Sequence, residues 1–275
     1  MNTYLTTLGN QLIIEDDCTA ALHPNSTVHL YTVEFSDCLT ASLLHKYEKL
    51  LSPSEIERQQ KLILDKVRIR DLISRAFVRS VLSCHAPIHP RDWQFRTNNY
   101  GKPAIDTTHG EAARIEFNLS HTTEAAVMAV CIDRLVGIDI ESAYVNLELC
   151  ESTRIFSPSE LCALSTLQPD ERRQHFLEYW TLKESYLKAR GTGLSTPLHQ
   201  IAFDLVVPGL ISAKMAPVLN DRPDRWMFRM FETPNGTVIA LCVERTGVRM
   251  ETVHQRVIPL RGVWPTTFKT RRSDL

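Results

Sequence analysis

Four residues, Ser-Pro-Ser-Glu, occur twice in this chain, at 52–55 and at 157–160, and their surroundings repeat with them. Each copy spells a helix start. Serine serves as N-cap, proline takes the first helical position where its missing N–H costs nothing, and glutamate three residues on closes a capping box. Ahead of each copy stands an alternating strand, VHLYTVEF at 28–35 and VGIDIES at 136–142. Behind each comes a long amphipathic helix, over 65–83 and over 171–190, the second stopped by Gly191 and Gly193. Further strands follow both helices: 92–96, 114–120 and 124–132 in the first half, then 199–207, 225–232 and 237–244 in the second, with Pro234-Asn235-Gly236 turning the last hairpin. This order predicts an α/β (α+β) protein of two pseudo-symmetric α/β halves that meet near Asp133-Arg134. The division is an N-terminal half over 1–134, a C-terminal half over 135–245, and a tail over 246–275 whose weak patterning predicts mobility.

A length of 275 residues with a hydrophobic fraction of 43% is enough for a substantial core. A formal net charge of −1 argues against a nucleic acid as main partner while leaving room for a local basic pocket. Seven cysteines (18, 38, 84, 131, 150, 162, 242) show neither a C-x-x-C pair nor metal-ligand spacing, so they read as small buried groups in a reducing compartment. The first residues show no secretory leader pattern, and no stretch is apolar and long enough to span a bilayer. The expectation is a cytoplasmic protein with no membrane partner.

The strand VGIDIES carries the first chemistry. Val136, Ile138 and Ile140 share one face, and Gly137, Asp139 and Glu141 share the other. Two carboxylates side by side repel, so this face is either wet or holds a hard cation such as Mg²⁺. In WTLKESYLKARGTGL (180–194), Glu184 and Lys188 stand four apart on one helix face, with Trp180 and Leu187 anchoring the helix inward. They form either a surface ion pair or a third metal ligand with a phosphate-binding ammonium. Asn99-Tyr100-Gly101-Lys102-Pro103 is a turn that raises Lys102 on a Gly/Pro frame, and Ser120-His121 ends a strand where a hydroxyl and an imidazole could meet a phosphate or simply cap the bend. On the first pair of helices, Arg58 and Arg70 are expected to reach a ligand, and Arg75 and Arg79 to make structural ion pairs.

In this order the segments NNYGKP (98–103), FNLSH (117–121), VGIDIE (136–141) and WTLKESYLKARGTGL resemble the fingerprints of the Sfp-like (surfactin-type) 4′-phosphopantetheinyl transferases, over roughly residues 50–245. The resemblance implies a monomer with its active site in the cleft between the two halves. Its reaction moves the 4′-phosphopantetheine arm of coenzyme A onto a serine of an apo acyl or peptidyl carrier protein and releases 3′,5′-ADP. It further implies Mg²⁺, or Mn²⁺ in its place, on Asp139, Glu141 and Glu184. Either Glu184 or a metal-bound water would act as base, and Lys188 would stabilise the leaving phosphate. Tyr100, Gly101, Lys102 and Pro103 would frame the adenine, while Arg58, Arg70, Ser120 and His121 would hold the phosphates. One departure stands out: Glu55 occupies a place where relatives often carry a basic residue. About 25 residues in front and the longer tail have no role in the resemblance. The competing readings are a catalytically silent relative that binds carrier proteins or CoA, and an unrelated Mg²⁺-dependent phosphohydrolase.

Overall fold

The computed structural model describes residues 5–8, 11–14, 26–142 and 154–274. In chain order the elements begin with a hairpin, β1 (Leu5–Leu8) and β2 (Gln11–Ile14), then β3 (Thr27–Glu34), α1 (Ala41–Glu48), α2 (Pro53–Gln60) and α3 (Asp65–Leu82). The first half closes with β4 (Phe95–Thr97), β5 (Pro103–Ile105), β6 (Ile115–His121) and β7 (Ala125–Ile132). The second half runs β8 (Val136–Glu141), α4 (Pro158–Ser165), α5 (Pro169–Arg190), β9 (Ile201–Asp204), β10 (Ser212–Met215), β11 (Trp226–Glu232) and β12 (Val238–Glu244). Three more strands follow: β13 (Glu251–Ile258), β14 (Gly262–Pro265) and β15 (Lys269–Ser273).

The repeat seen in the sequence is a repeat of topology. In the first half β3 pairs antiparallel with β7, which pairs antiparallel with β6; in the second β8 pairs with β12, and β12 with β11, in the same sense. Each half adds a small two-stranded ladder, β4–β5 in one and β9–β10 in the other. Both Ser-Pro-Ser-Glu copies form complete capping boxes: Glu55 and Glu160 accept from the backbone N–H groups of Ser52 and Ser157, whose hydroxyls accept in return.

Alternation along the strands sorts the cores into layers. Tyr31, Val33, Met128 and Val130 pack under α1 and α3, while Phe228, Met230, Ala240 and Cys242 pack under α5. The opposite faces meet each other: Val28, Leu30, Val127 and Ala129 of one sheet lie against Val136, Ile138, Ile140, Ile239 and Leu241 of the other. The result is helix, sheet, sheet, helix, with the two sheets back to back.

The tail departs from expectation. Beyond residue 246 the chain is not loose but straps both halves. β13 adds to the first sheet parallel to β3, from Glu251↔Thr27 to Arg256↔Thr32, and β15 adds to the second sheet antiparallel to β11. Arg271 and Arg272 of the KTRR segment both bind Glu178 on α5. Of the cysteines, Cys38, Cys131 and Cys242 are buried as expected, Cys84 is half-buried, and Cys162 is exposed because it lies on the outer side of α4; Cys18 and Cys150 lie outside the described residues. Among the described residues no helix is long and apolar enough to cross a membrane.

Candidate active site

The two sheets approach edge to edge at β6 and β8, and a side chain joins them in place of a backbone ladder. Asn118 Oδ1 accepts from the Ile138 N–H at 2.9 Å, which satisfies a donor on the exposed edge of β8. One pleat further along, Ser120 Oγ donates to Asp139 Oδ1 at 2.9 Å. The site is built on this seam.

Helix α5 covers the polar face of β8 and buries Asp139, which rules out a wet face there, while Glu141 stays half-buried at the cleft. Gly137 marks the closest approach: a Cβ there would overlap Ser185 O and Ala189 N and lie 2.8 Å from Ala189 Cα. Glycine therefore admits the helix, which then brings Lys188 and Trp180 onto the two acids. Lys188 Nζ donates to Asp139 Oδ1 at 2.6 Å and to Ser120 Oγ at 2.8 Å, and Trp180 Nε1 donates to Glu141 Oε1 at 2.9 Å. The ion pair that Lys188 makes is thus with Asp139 on the strand beneath its helix, not along the helix with Glu184, and its bond to Ser120 is the one that crosses the seam.

Three carboxylates crowd this space. Burial first, then the charge of Asp139 and, less, that of Glu141 push the Glu184 carboxyl up to about 7 against the opposing charge of Lys188. Glu141 is raised as well, by burial first and by Asp139 second, against the Trp180 hydrogen bond and Lys188. Asp139 Oδ2 is buried with no hydrogen-bond partner, an orphaned acceptor facing the same space. Among the described residues no three acidic, histidine or cysteine side chains already converge as a ligand set. The donors are nevertheless all carboxylate oxygen, one of them unsatisfied, and they suit a hard cation.

Two cavities of ≈ 280 Å³ each meet here. Leu119, Ser120, His121, Asp139, Glu141, Trp180, Glu184 and Lys188 line one of them. The other extends past Glu184 and Lys188 to Tyr100, Gly101, Lys102, Pro103, Gly191 and Gly193. Leu119, Glu184 and Lys188 border both, so they form one cleft between the halves.

The 98–103 turn is docked on the end of α5. Asn98 Oδ1 accepts from Tyr100 N and Lys102 N, and its Nδ2 donates to Gly191 O at 2.7 Å. Lys102 is not raised toward solvent. Its ammonium turns inward and donates to Val136 O and Ala189 O, both at 3.0 Å, and burial lowers its pKa. The turn thus offers the cleft its backbone, the Lys102 stem and the exposed Tyr100 ring.

Arg58 and Arg70 line neither cavity: Arg58 is exposed on α2, and Arg70 Nε donates to Lys66 O at 3.3 Å. Arg75 and Arg79 make the structural pairs expected of them, each 2.7 Å from Glu55. Glu55 is therefore employed in its own half, by capping box and by two guanidiniums. In the sequence Asn98 and Asn118 do not stand out as individual residues, and Trp180 reads only as an apolar anchor. An asparagine at an inward strand position, as in FNLSH, was the available signal for Asn118.

A fold of two α/β repeats with carboxylates and a lysine at their seam defines a class, and comparison with known proteins gives the same one. Residues 135–242 match the profile of the 4′-phosphopantetheinyl transferase superfamily, and residues 40–133 match that of the 4′-phosphopantetheinyl transferase N-terminal region. The chain is 28% identical over 214 residues to the 4′-phosphopantetheinyl transferase Sfp of Bacillus subtilis, covering 78% of this chain and 91% of that one. It is 31% identical over 169 residues to the 4′-phosphopantetheinyl transferase HetI of a Nostoc species, covering 61% and 70%, and 30% identical over 177 residues to ffp of Bacillus subtilis, covering 64% and 74%. The chain belongs to the Sfp-like 4′-phosphopantetheinyl transferases and is an enzyme of that family.

Proposed function

We propose that the cleft transfers the 4′-phosphopantetheine arm of coenzyme A to the serine hydroxyl of an apo acyl or peptidyl carrier protein. A serine O–P bond forms at the pyrophosphate phosphorus next to the pantetheine, the bridging P–O bond breaks, and 3′,5′-ADP leaves. The observation that carries this reading is the seam itself, where Asp139, Glu141, Glu184 and Lys188 meet in one cleft with the 100–103 turn.

Asp139, Glu141 and Glu184 would hold Mg²⁺, with Asp139 Oδ2 the ligand atom lacking any other partner. Once bound, the cation supplies charge neutralisation of the pyrophosphate. Glu184, or a water held beside it, would accept the serine proton. Lys188, anchored by Asp139 and Ser120 and partly exposed, turns its remaining N–H toward the leaving phosphate. Tyr100, Gly101 and Pro103, with the backbone and stem of Lys102, frame the adenine. Ser120 and His121, at the end of β6, face the phosphates, while Arg58 and Arg70, outside the two cavities on α2 and α3, are the groups for a 3′-phosphate that extends beyond the cleft. Every group invoked comes from one chain, so a monomer suffices.

The test is nucleotide release. Incubation with CoA, Mg²⁺ and an apo carrier should liberate 3′,5′-ADP, and a carrier whose acceptor serine is alanine should liberate none. Equal release with both carriers would instead favour hydrolysis of CoA.

A further inference from the structure

Helix α5 carries Trp180, Glu184 and Lys188, and a separate clamp stands on either side of that stretch. At its C-terminal end Asn98 and Lys102 of the first half hold the Gly191 and Ala189 carbonyls. On its N-terminal side stands Glu178, whose relative exposure is 0%, and both of its oxygens are taken by the C-terminal strap. Arg271 Nε donates to Glu178 Oε1 at 2.6 Å and Arg272 Nε to Oε2 at 3.0 Å. The two guanidiniums then diverge. Arg271 reaches Glu232 Oε2 on β11 at 3.0 Å, and Arg272 reaches Leu205 O at 3.0 Å. Glu178 is thereby tied at once to β11, to β15 and to the segment that follows β9.

We propose that Arg271 and Arg272 are positioning residues for the transfer site, acting through Glu178 to fix α5 along its axis. A buried carboxylate cannot stay unpaired, so Glu178 keeps its place only while both guanidiniums hold theirs. An α-helix is a stiff rod, and a slip at Glu178 reaches Glu184 and Lys188 within the next three turns almost undiminished. The contacts at risk are narrow ones: Lys188 on Asp139 at 2.6 Å and Trp180 on Glu141 at 2.9 Å. The superfamily profile ends at residue 242, so the strap supplies this clamp from outside the matched region. The proposal rests on the transferase reading for what the site does, though not for how α5 is held.

The experiment compares Arg271→Ala/Arg272→Ala with a variant that adds Glu178→Met, which removes the buried charge and leaves an apolar side chain of similar length. Thermal unfolding, steady-state transfer with CoA and carrier, and amide hydrogen exchange over 180–188 are measured on each. The double variant should lose roughly 10 °C in Tm. The triple variant should recover most of that loss while kcat stays about tenfold or more below wild type, KM for CoA moves less, and exchange over 180–188 stays fast. Recovery of kcat and slow exchange together with Tm would overturn the proposal, because the clamp would then serve stability alone. So would wild-type kcat and exchange in a folded double variant. Should that variant not fold, the triple variant decides the question alone. Should the wild type itself show no transfer, the transferase reading fails, and the exchange measurement still decides the positioning role.

Discussion

Trp180 Nε1 donates to Glu141 Oε1 at 2.9 Å, so one oxygen of the second strand acid is committed to the helix and the other is left for the cleft. The indole also opposes the rise in Glu141's pKa that burial and Asp139 cause. Trp180→Phe keeps the ring and removes the donor. It should weaken Mg²⁺ binding by roughly tenfold, on the scale of one hydrogen bond to a charged group, with little change in Tm. Calorimetric titration of Mg²⁺ in the presence of CoA checks this; unchanged affinity would show that the bond does not orient the ligand.

Gly137 predicts a stability effect at the same seam. A methyl group there meets backbone on α5, which cannot move aside as a side-chain tip could. Gly137→Ala should cost about 3 kcal/mol or more by overpacking. Urea unfolding measures it, and a change within ~0.5 kcal/mol would mean that α5 sits less tightly on β8 than described.

Lys102 links Val136 O and Ala189 O, one carbonyl from the first strand of the second half and one from the end of its long helix. Lys102→Met preserves the stem and leaves both carbonyls without that donor. The expected cost is about 1–3 kcal/mol in stability, with KM for CoA rising as the turn loosens. A rise in KM with no loss of stability would instead place the ammonium on the substrate.

His254 makes the strap sensitive to acid. Its Nδ1 accepts from Phe268 N at 3.2 Å, its ring stacks on Phe268, and burial first and Arg229 second lower its pKa below the usual 6.5. His29, buried on the neighbouring β3, is also lowered by burial, with Gln255 partly opposing. Below pH 6.5 the unfolded chain binds more protons than the folded one. The stability these histidines contribute is therefore full above 6.5 and is lost as pH falls through their lower folded values. Glu184, raised to about 7, takes up a proton in the folded chain over the same range and acts in the opposite sense, so the histidine effect is read as a difference. Between pH 7.5 and 5.5 the Tm of the wild type should fall relative to that of His254→Gln, which scanning calorimetry at the two pH values would show. Equal slopes would mean that His254 titrates alike in both states.

Much of this was legible because it is local. Ser-Pro-Ser-Glu followed by a helix specifies a capping box wherever it occurs, and strict alternation in VGIDIES fixed which residues share a face. The spacing of Glu184 and Lys188 likewise placed both on one side of α5. What covers a face is not local. Nothing in VGIDIES says that a helix will lie on Asp139 and Glu141, although a glycine in register with them is the mark of its approach. Lys102 looked exposed because a turn normally is, and only the docking of that turn on α5 draws its ammonium inward. The strap stayed hidden for another reason. β15 reads KTRRS, with no apolar residue to pattern, and it is held by backbone pairing and by arginines on a buried glutamate from a distant helix.

The central claim is that the seam carboxylates and Lys188 transfer phosphopantetheine. Intact-mass spectrometry of an apo carrier protein, incubated with CoA, Mg²⁺ and either the wild-type chain or Asp139→Ala, tests it most directly. The account predicts a carrier heavier by one phosphopantetheine group with wild type, and no gain with Asp139→Ala or with excess chelator. A carrier modified equally well by Asp139→Ala would contradict the account and place the chemistry elsewhere.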